Sequence, residues 1–260
     1  MQPAREICLL AWNILHGGGP ERTPRIGLAI VEQAPDVVVL CEFRPGRGGQ
    51  VRAQLADAGL VHQAASKVAP GKNGMLIASR FELFPVAVPG FEEFPGRLLA
   101  TSVLGFTLVS VHVPDDGSLA KKAAFFQQLT ALAKQNCEKS CVILGDFNTS
   151  RRGPDTDTRT FRLEKQLGLL ETYGFVDAWR AKNPGKREHS WVSAAGQGRL
   201  DGAYLSAPLA DALVDAKYDH APRTSGLSDH SILHVRLKHV CETPPRAAPN
   251  GLFGPGETRD

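Results

Sequence analysis

Short apolar runs bounded by turn residues recur along the chain, and most are too short and too rich in β-branched residues to be helices. Glu6 to Trp12, Val37 to Cys41, Met75 to Ala78, Val142 to Leu144, His189 to Val192 and Leu200 to Leu205 read as strands, and Arg97 to Leu104 with Phe106 to Val113 reads as a hairpin about Gly105. In Ser231 to Leu237, Ile232, His234 and Arg236 alternate with Leu233, Val235 and Leu237, the pattern of a half-exposed strand. Helical spacing appears in Ser118 to Gln135, with Ser118 as the cap, and in Thr160 to Tyr173. Thr23-Pro24 reads as a helix start stopped by Pro35, and a short helix fits between Arg44 and Gly59. Strands dominate, and helices do not strictly alternate with them. That excludes a parallel doubly wound sheet and predicts an α/β protein with two mainly antiparallel or mixed sheets packed face to face and helices outside.

The runs end on chemically useful residues. Val142-Ile143-Leu144-Gly145 leads to Asp146-Phe147-Asn148, and residues two apart in an extended chain point the same way. Alone, this stretch reads more readily as a strand closed by an Asx turn than as a site. It is joined by Trp12-Asn13, Cys41-Glu42, Ser110-Val111-His112, Arg199-Leu200-Asp201 and Ser228-Asp229-His230. His16, His62, His220 and His234 have no motif around them and read as ordinary histidines.

Composition narrows the class. The 260 residues are enough for one large domain, taken here as residues 1–240, and the Pro- and Gly-rich segment 241–260 reads as a disordered tail. A net charge of +3 says little about partners, so any polyanion argument rests on local clusters: Arg44, Arg47 and Arg52; Arg151 and Arg152; Lys182, Lys186 and Arg187. Five cysteines without Cys-x-x-Cys spacing read as buried thiols of a reducing compartment. The first apolar stretch, Ile7 to Trp12, is too short for a signal sequence and no run approaches a membrane span, so a cytoplasmic location without membrane contact is expected.

With these residues in order, the chain resembles the endonuclease/exonuclease/phosphatase superfamily of metal-dependent phosphoesterases, from Trp12-Asn13 through Glu42, Asn73-Gly74, His112, Gly145-Asp146-Phe147-Asn148 and Arg199-Leu200-Asp201 to Ser228-Asp229-His230. Gly174 to Arg180 followed by His189-Ser190-Trp191 looks most like the exonuclease III, abasic-site branch, while His112 stands where that branch carries tyrosine and is similar to DNase I-like relatives. The resemblance implies a four-layer α-β-β-α sandwich and a monomeric, Mg²⁺- or Mn²⁺-dependent phosphodiesterase, with DNA as the first candidate substrate. Such hydrolysis needs a hard cation, for which Glu42, Asp229 and Asn13 are the oxygen donors. It also needs a base, read as His230 oriented by Asp201, with the family alternative giving that role to Asp146. Asn148 and His112 would donate to phosphate oxygens, Arg44, Arg151 and Arg152 would meet the phosphate backbone, and Trp191 would wall a pocket for an abasic sugar. Leu15 replaces an acid found in some relatives, which argues against two metals, and Gly198 stands where several abasic-site enzymes have an aromatic. A phosphoesterase for a small or lipid-linked phosphate is the second reading, and a degenerate nucleic-acid-binding fold the third.

Overall fold

The structure, a computed structural model, describes residues 5–156 and 160–238; the expected tail lies outside the described residues. The elements run β1 (Glu6–Asn13), α1 (Gly19–Glu32), β2 (Val37–Phe43), α2 (Gly49–Asp57), β3 (His62–Ala65), β4 (Gly74–Ser79), β5 (Phe84–Pro85), β6 (Leu98–Val103), β7 (Phe106–His112), α3 (Leu119–Asn136), β8 (Cys141–Asp146), α4 (Lys165–Thr172), β9 (Val176–Asp177), α5 (Ala178–Lys182), β10 (Trp191–Ser193), β11 (Gly196–Gly198), β12 (Asp201–Leu205), α6 (Ala207–Ala210), β13 (Leu213–Asp219), α7 (Ala221–Thr224) and β14 (Ile232–Lys238). Two six-stranded sheets form, in the orders β13-β14-β1-β2-β4-β3 and β5-β6-β7-β8-β12-β9. Both are mixed: β1 runs parallel to β2 and β7 to β8, each pair joined through a helix, and the other pairings are antiparallel.

The continuous apolar runs are explained by burial on both faces. Leu9 and Ala11 of β1 face the layer between the sheets, where Val37, Val39, Leu108, Val142, Leu144, Leu233 and Val235 also pack. Their neighbours Leu10 and Trp12 point the other way, against Ile26 and Ile30 of α1 and Val51 and Leu55 of α2. The second sheet repeats this, with Val109, Val111 and Ile143 against Phe125, Phe126 and Leu129 of α3. The expected α-β-β-α sandwich is therefore the observed one.

Several local expectations are corrected. Helix α1 starts at Gly19, with Pro20 in the first turn where its missing N–H costs nothing, so Pro24 lies inside the helix. Ser118 makes no side-chain cap; a 3-10 turn over Asp116–Ser118 precedes α3, and Asp115 accepts from the Gly117 N–H instead. Helix α4 begins only at Lys165. Strand β14 is buried until Arg236, because it lies between β13 and β1 and both faces are covered. Strands β3 and β13 were not expected: β3 is His-Gln-Ala-Ala, and a register shift between Leu213 and Asp215 breaks the alternation of β13.

One buried charge network fixes the segment entering β12. The Arg199 guanidinium forks to Asp155 (Nε to Oδ1, 2.8 Å; Nη2 to Oδ2, 3.2 Å) and Asp177 (Nη1 to Oδ1, 3.2 Å; Nη2 to Oδ2, 2.6 Å), over the Trp179 ring at 5.0 Å. Removing one partner of such a network leaves uncompensated buried charge. Arg199→Leu is expected to lose about 3–5 kcal/mol in urea unfolding. Arg199→Lys should recover only part, since an ammonium cannot fork to two carboxylates. A loss below about 1 kcal/mol, the value of an exposed ion pair, would show that the network is not a structural anchor.

Candidate active site

The topology gathers the strand-end residues at one rim. Parallel pairs bring the carboxyl ends of β1 and β2 together, and those of β7 and β8, while the antiparallel partners β12 and β14 present their amino ends there. Asn13 closes β1, His112 closes β7 and Asp146 closes β8; Asp201 opens β12 opposite Asp146, and Asp229 and His230 precede β14. Glu42 sits at a register shift between Cys41 and Phe43 with φ 58°, a bulge that re-aims one side chain of β2. Gly145 has φ 145°, and a Cβ there would lie 2.1 Å from the Val111 carbonyl oxygen, so only glycine lets β8 deliver Asp146 beside β7. Asn13, Glu42, His112, Asp146, Asn148, Trp191, Asp229 and His230 line one cavity of about 860 Å³.

Its centre is a buried relay. His230 Nδ1 lies 2.8 Å from Asp201 Oδ2, and its Nε2 lies 3.9 Å from Asp146 Oδ2. The same Asp146 oxygen accepts from Asn13 Nδ2 at 2.8 Å, and Asp146 Oδ1 accepts from the Asn148 N–H at 2.8 Å. The Asx turn and the site residue are thus one structure, held with Asn148 at φ 45°. His112 Nε2 stands 3.7 Å from Glu42 Oε1 and 3.8 Å from Asp146 Oδ2.

Charge follows from this packing. Burial pushes the Asp146 carboxyl up to about 7, an effect Asp201 reinforces and His230 opposes. Burial would discharge His230, but Asp201 and Asp146 outweigh it and raise the imidazole to about 10. Burial and the Arg97 charge take His112 down to about 4. Glu42 is held below the usual carboxylate range: burial works against this, and His112 and His16 prevail.

The donors fit a hard divalent cation. Glu42 and Asp229 offer carboxylates and Asn13 an amide oxygen, and Asp229 Oδ1 is buried with no hydrogen-bond partner, as a metal ligand would be. Asp146, Asp201 and His230 also bring ligand atoms within 4.8 Å of one another. There, however, Asp201 Oδ2 already accepts from Ser190 Oγ at 2.6 Å and faces His230 Nδ1 at 2.8 Å, so that oxygen and that ring nitrogen are engaged with each other.

Some sequence-predicted residues are placed elsewhere. Arg151 does not reach the cavity: its Nη2 pairs with Glu171 Oε1 at 2.5 Å, because the loop after Asn148 folds onto α4. Arg152 is exposed and also off the cavity wall, its N–H bonded to Glu164. Arg44 lines the cavity and donates from Nε to Asn73 Oδ1 at 2.8 Å. Trp191 lines it too, but its Nε1 donates to Asp229 Oδ2 at 3.0 Å, which ties the expected pocket wall to a metal-type acid.

The sequence does not single out the other participants, although Ser190 lies within the His189-Ser190-Trp191 stretch. Ser190 Oγ, besides bonding Asp201, accepts from the Leu200 and Asp201 N–H groups. Lys122 is wholly buried and donates to Asp116 (2.6 Å) and the Asn148 carbonyl (2.7 Å), and its spacing on α3 is that of a core position. The Tyr218 hydroxyl donates to the Asp201 carbonyl. His16 bonds Glu42.

A family model described as Endonuclease/Exonuclease/phosphatase family matches residues 10–230. Among solved structures, an AP endonuclease from Archaeoglobus fulgidus is similar at TM-score 0.77 and 21% identity, over 88% of this chain and 98% of that one. The 3′ phosphatase NExo from Neisseria, bound to a product DNA hairpin, gives TM-score 0.77 and 21% identity over 89% and 99% of the two chains. The 3′-5′ exonuclease NExo from Neisseria meningitidis gives 0.74 and 21% over 89% and 100%.

The electrostatics predict a histidine titration in metal-free protein. By NMR, His230 should remain charged through neutral pH and lose its proton near 10, while His112 stays neutral down to about 4. Because folded His112 refuses a proton that the unfolded chain takes near the ordinary histidine value of 6.5, it should erode stability as pH falls from 6.5 towards 4. The raised His230 contributes stability that is complete below 6.5 and lost as pH rises through about 10. A neutral His230 at pH 7 would overturn the relay's charge assignment.

Proposed function

Because the chain belongs to the endonuclease/exonuclease/phosphatase family, we propose that it is a divalent-metal-dependent phosphodiesterase that cuts DNA by attack of water. The observation carrying this reading is the buried Asp146, His230, Asp201 relay facing the same cavity as Glu42 and Asp229. Glu42, Asp229 and Asn13 would hold Mg²⁺ or Mn²⁺, which when bound neutralises phosphate charge and lowers the barrier to hydrolysis.

The protein's own groups divide the remaining work. Asp146, raised to about 7, is poised to take a proton from water near neutral pH. His230, charged and clamped by Asp201, suits charge stabilisation at the phosphate better than proton abstraction. These charges favour Asp146 over His230 as the base. Asn148 already donates Nδ2 to the Val113 carbonyl at 2.8 Å, so its second amide hydrogen is the one free to meet phosphate. Arg44, Lys72 and Arg97 on the cavity wall supply positive charge for a phosphodiester. DNA as substrate draws support from similar structures of an AP endonuclease and of a phosphatase bound to a DNA hairpin. A small phosphate ester is the second reading, favoured by the diversion of Arg151 onto Glu171.

Assays on abasic, 3′-phosphorylated and intact DNA duplexes and on a generic phosphate bis-ester test both. Hydrolysis should vanish with chelator and fall by about 10²- to 10⁴-fold in Asp146→Asn and in His230→Ala. Turnover surviving in chelator, or in both variants, would reject the mechanism. Cleavage of the bis-ester with none of the duplexes would select the small-substrate reading.

Trp191 can be separated into two roles. Trp191→Phe keeps an aromatic wall but loses the donor to Asp229, so it should raise the metal concentration for half activity while leaving any abasic preference. Trp191→Ala should lose both. An unchanged metal titration in Trp191→Phe would disconnect this ring from the metal site.

A further inference from the structure

His16 has a place at the site that no motif announces. Its backbone N–H donates to Glu42 Oε2 at 2.8 Å, and its ring Nδ1 lies 2.7 Å from the same oxygen. Both partners sit in backbone conformations that non-glycine residues avoid, Leu15 and His16 at φ 49° and 57° and Glu42 at φ 58°. Strain of this kind persists where surrounding structure imposes it, and here the loop is pressed into place from behind. A Cβ on Gly17 would meet Arg44 at 3.1 Å, and one on Gly18 would meet the Ile26 side chain at 2.5 Å.

The hydrogen bonding around Nδ1 points to what the arrangement is for. Arg44 Nε donates to Asn73 Oδ1, which turns Asn73 Nδ2 towards His16 Nδ1 at 2.9 Å. A nitrogen that accepts from Asn73 carries no proton to give Glu42. Nδ1 has one in-plane lone pair, which can serve Asn73 or an ion but not both; an ion that took the place of Asn73 there would lie against Glu42 Oε2, 2.7 Å from Nδ1, and be held by both atoms. The half-exposed ring can turn to such an ion without moving the core.

We propose that His16 is a ligand, through Nδ1, of the divalent ion held by Glu42, and that this nitrogen donor shifts the site's preference from Mg²⁺ towards first-row transition ions. Mg²⁺ demands oxygen donors and octahedral geometry, whereas imidazole binds the softer ions readily. The proposal rests on the reading that Glu42 is a metal ligand.

Mn²⁺ is the probe, in the full-length protein, by calorimetry and by pulsed electron paramagnetic resonance. Wild type should bind Mn²⁺ more tightly than Mg²⁺ and show ¹⁴N coupling from a bound imidazole. His16→Ala should lose that coupling and weaken Mn²⁺ by at least the roughly 10- to 100-fold that even an outer contact to a ligand costs, with Mg²⁺ binding changed far less. His16→Asn, which restores an oxygen donor but no imidazole, should bring the two ions close to parity. Mn²⁺ bound with unchanged ¹⁴N coupling in His16→Ala, or equal losses for the two ions, would overturn the His16 assignment alone. No Mn²⁺ or Mg²⁺ binding by wild type would overturn the metal reading beneath it.

Discussion

The hydrogen bond between His230 and Asp201 constrains the rest of the molecule. One partner enters β14 of the first sheet and the other opens β12 of the second, so a 2.8 Å contact spans the interface between the sheets. A contact of that length tolerates little error in how the sheets stack. The layer between them is accordingly filled by tightly packed aliphatic side chains, and three polar groups fix Asp201 from separate directions: Ser190 at its carboxylate, Tyr218 at its carbonyl, and the Arg199 network two residues upstream. The opposing side is tied down as well. Ser228 Oγ donates to the Asn13 carbonyl and accepts from the His230 N–H, and Trp12 Nε1 donates to the His230 carbonyl, so β1 holds His230 in place.

A second constraint is charge. Glu42, Asp146, Asp201 and Asp229 crowd one end of the sandwich, a poor environment for a phosphate unless cations offset them. The chain contributes part of that offset itself. His230 is charged, Arg97 donates to the His112 and Val113 carbonyls from the cavity wall, and Lys122 places a buried ammonium between Asp116 and the Asn148 carbonyl. The Lys122 contact also holds the left-handed turn at Asn148, so one side chain serves both charge and geometry.

How much of this was legible in the sequence depends on whether a residue's task is local or long-range. Strand ends were legible, since Gly145-Asp146-Phe147-Asn148 carries its own punctuation and alternation, and the double-sided burial behind the apolar runs follows from composition. The cavity lining by Asn13, Glu42, His112, Asn148, Asp229 and His230 could be anticipated as a group. Pairings across many residues could not. Arg151 looked available for phosphate until α4 brought Glu171 to it, and Lys122 looked like one more position on a helix. Glu42 was visible as a strand-end acid, but the bulge that aims it depends on its pairing with β4. His16 lacked any motif because its partner is brought near by folding, 26 residues later in the chain.

The division of the site between the sheets has a further consequence. Asn13, Glu42, Asp229 and His230 belong to the first sheet or its flanking turns, while His112, Asp146, Asn148 and Asp201 belong to the second. Neither layer holds a complete set, and the seam joining them is mainly apolar, with a few directional bonds among the described residues such as Ser110 Oγ to Met75 Sδ, Cys41 Sγ to the Val111 carbonyl and Tyr218 to the Asp201 carbonyl. A small shift of one layer on the other would leave the strands and helices of each layer intact and its aliphatic groups still buried, at some cost in packing, yet pull the acids of one layer out of register with those of the other. Competence is therefore a property of the seam, and it can be lost while the fold remains intact.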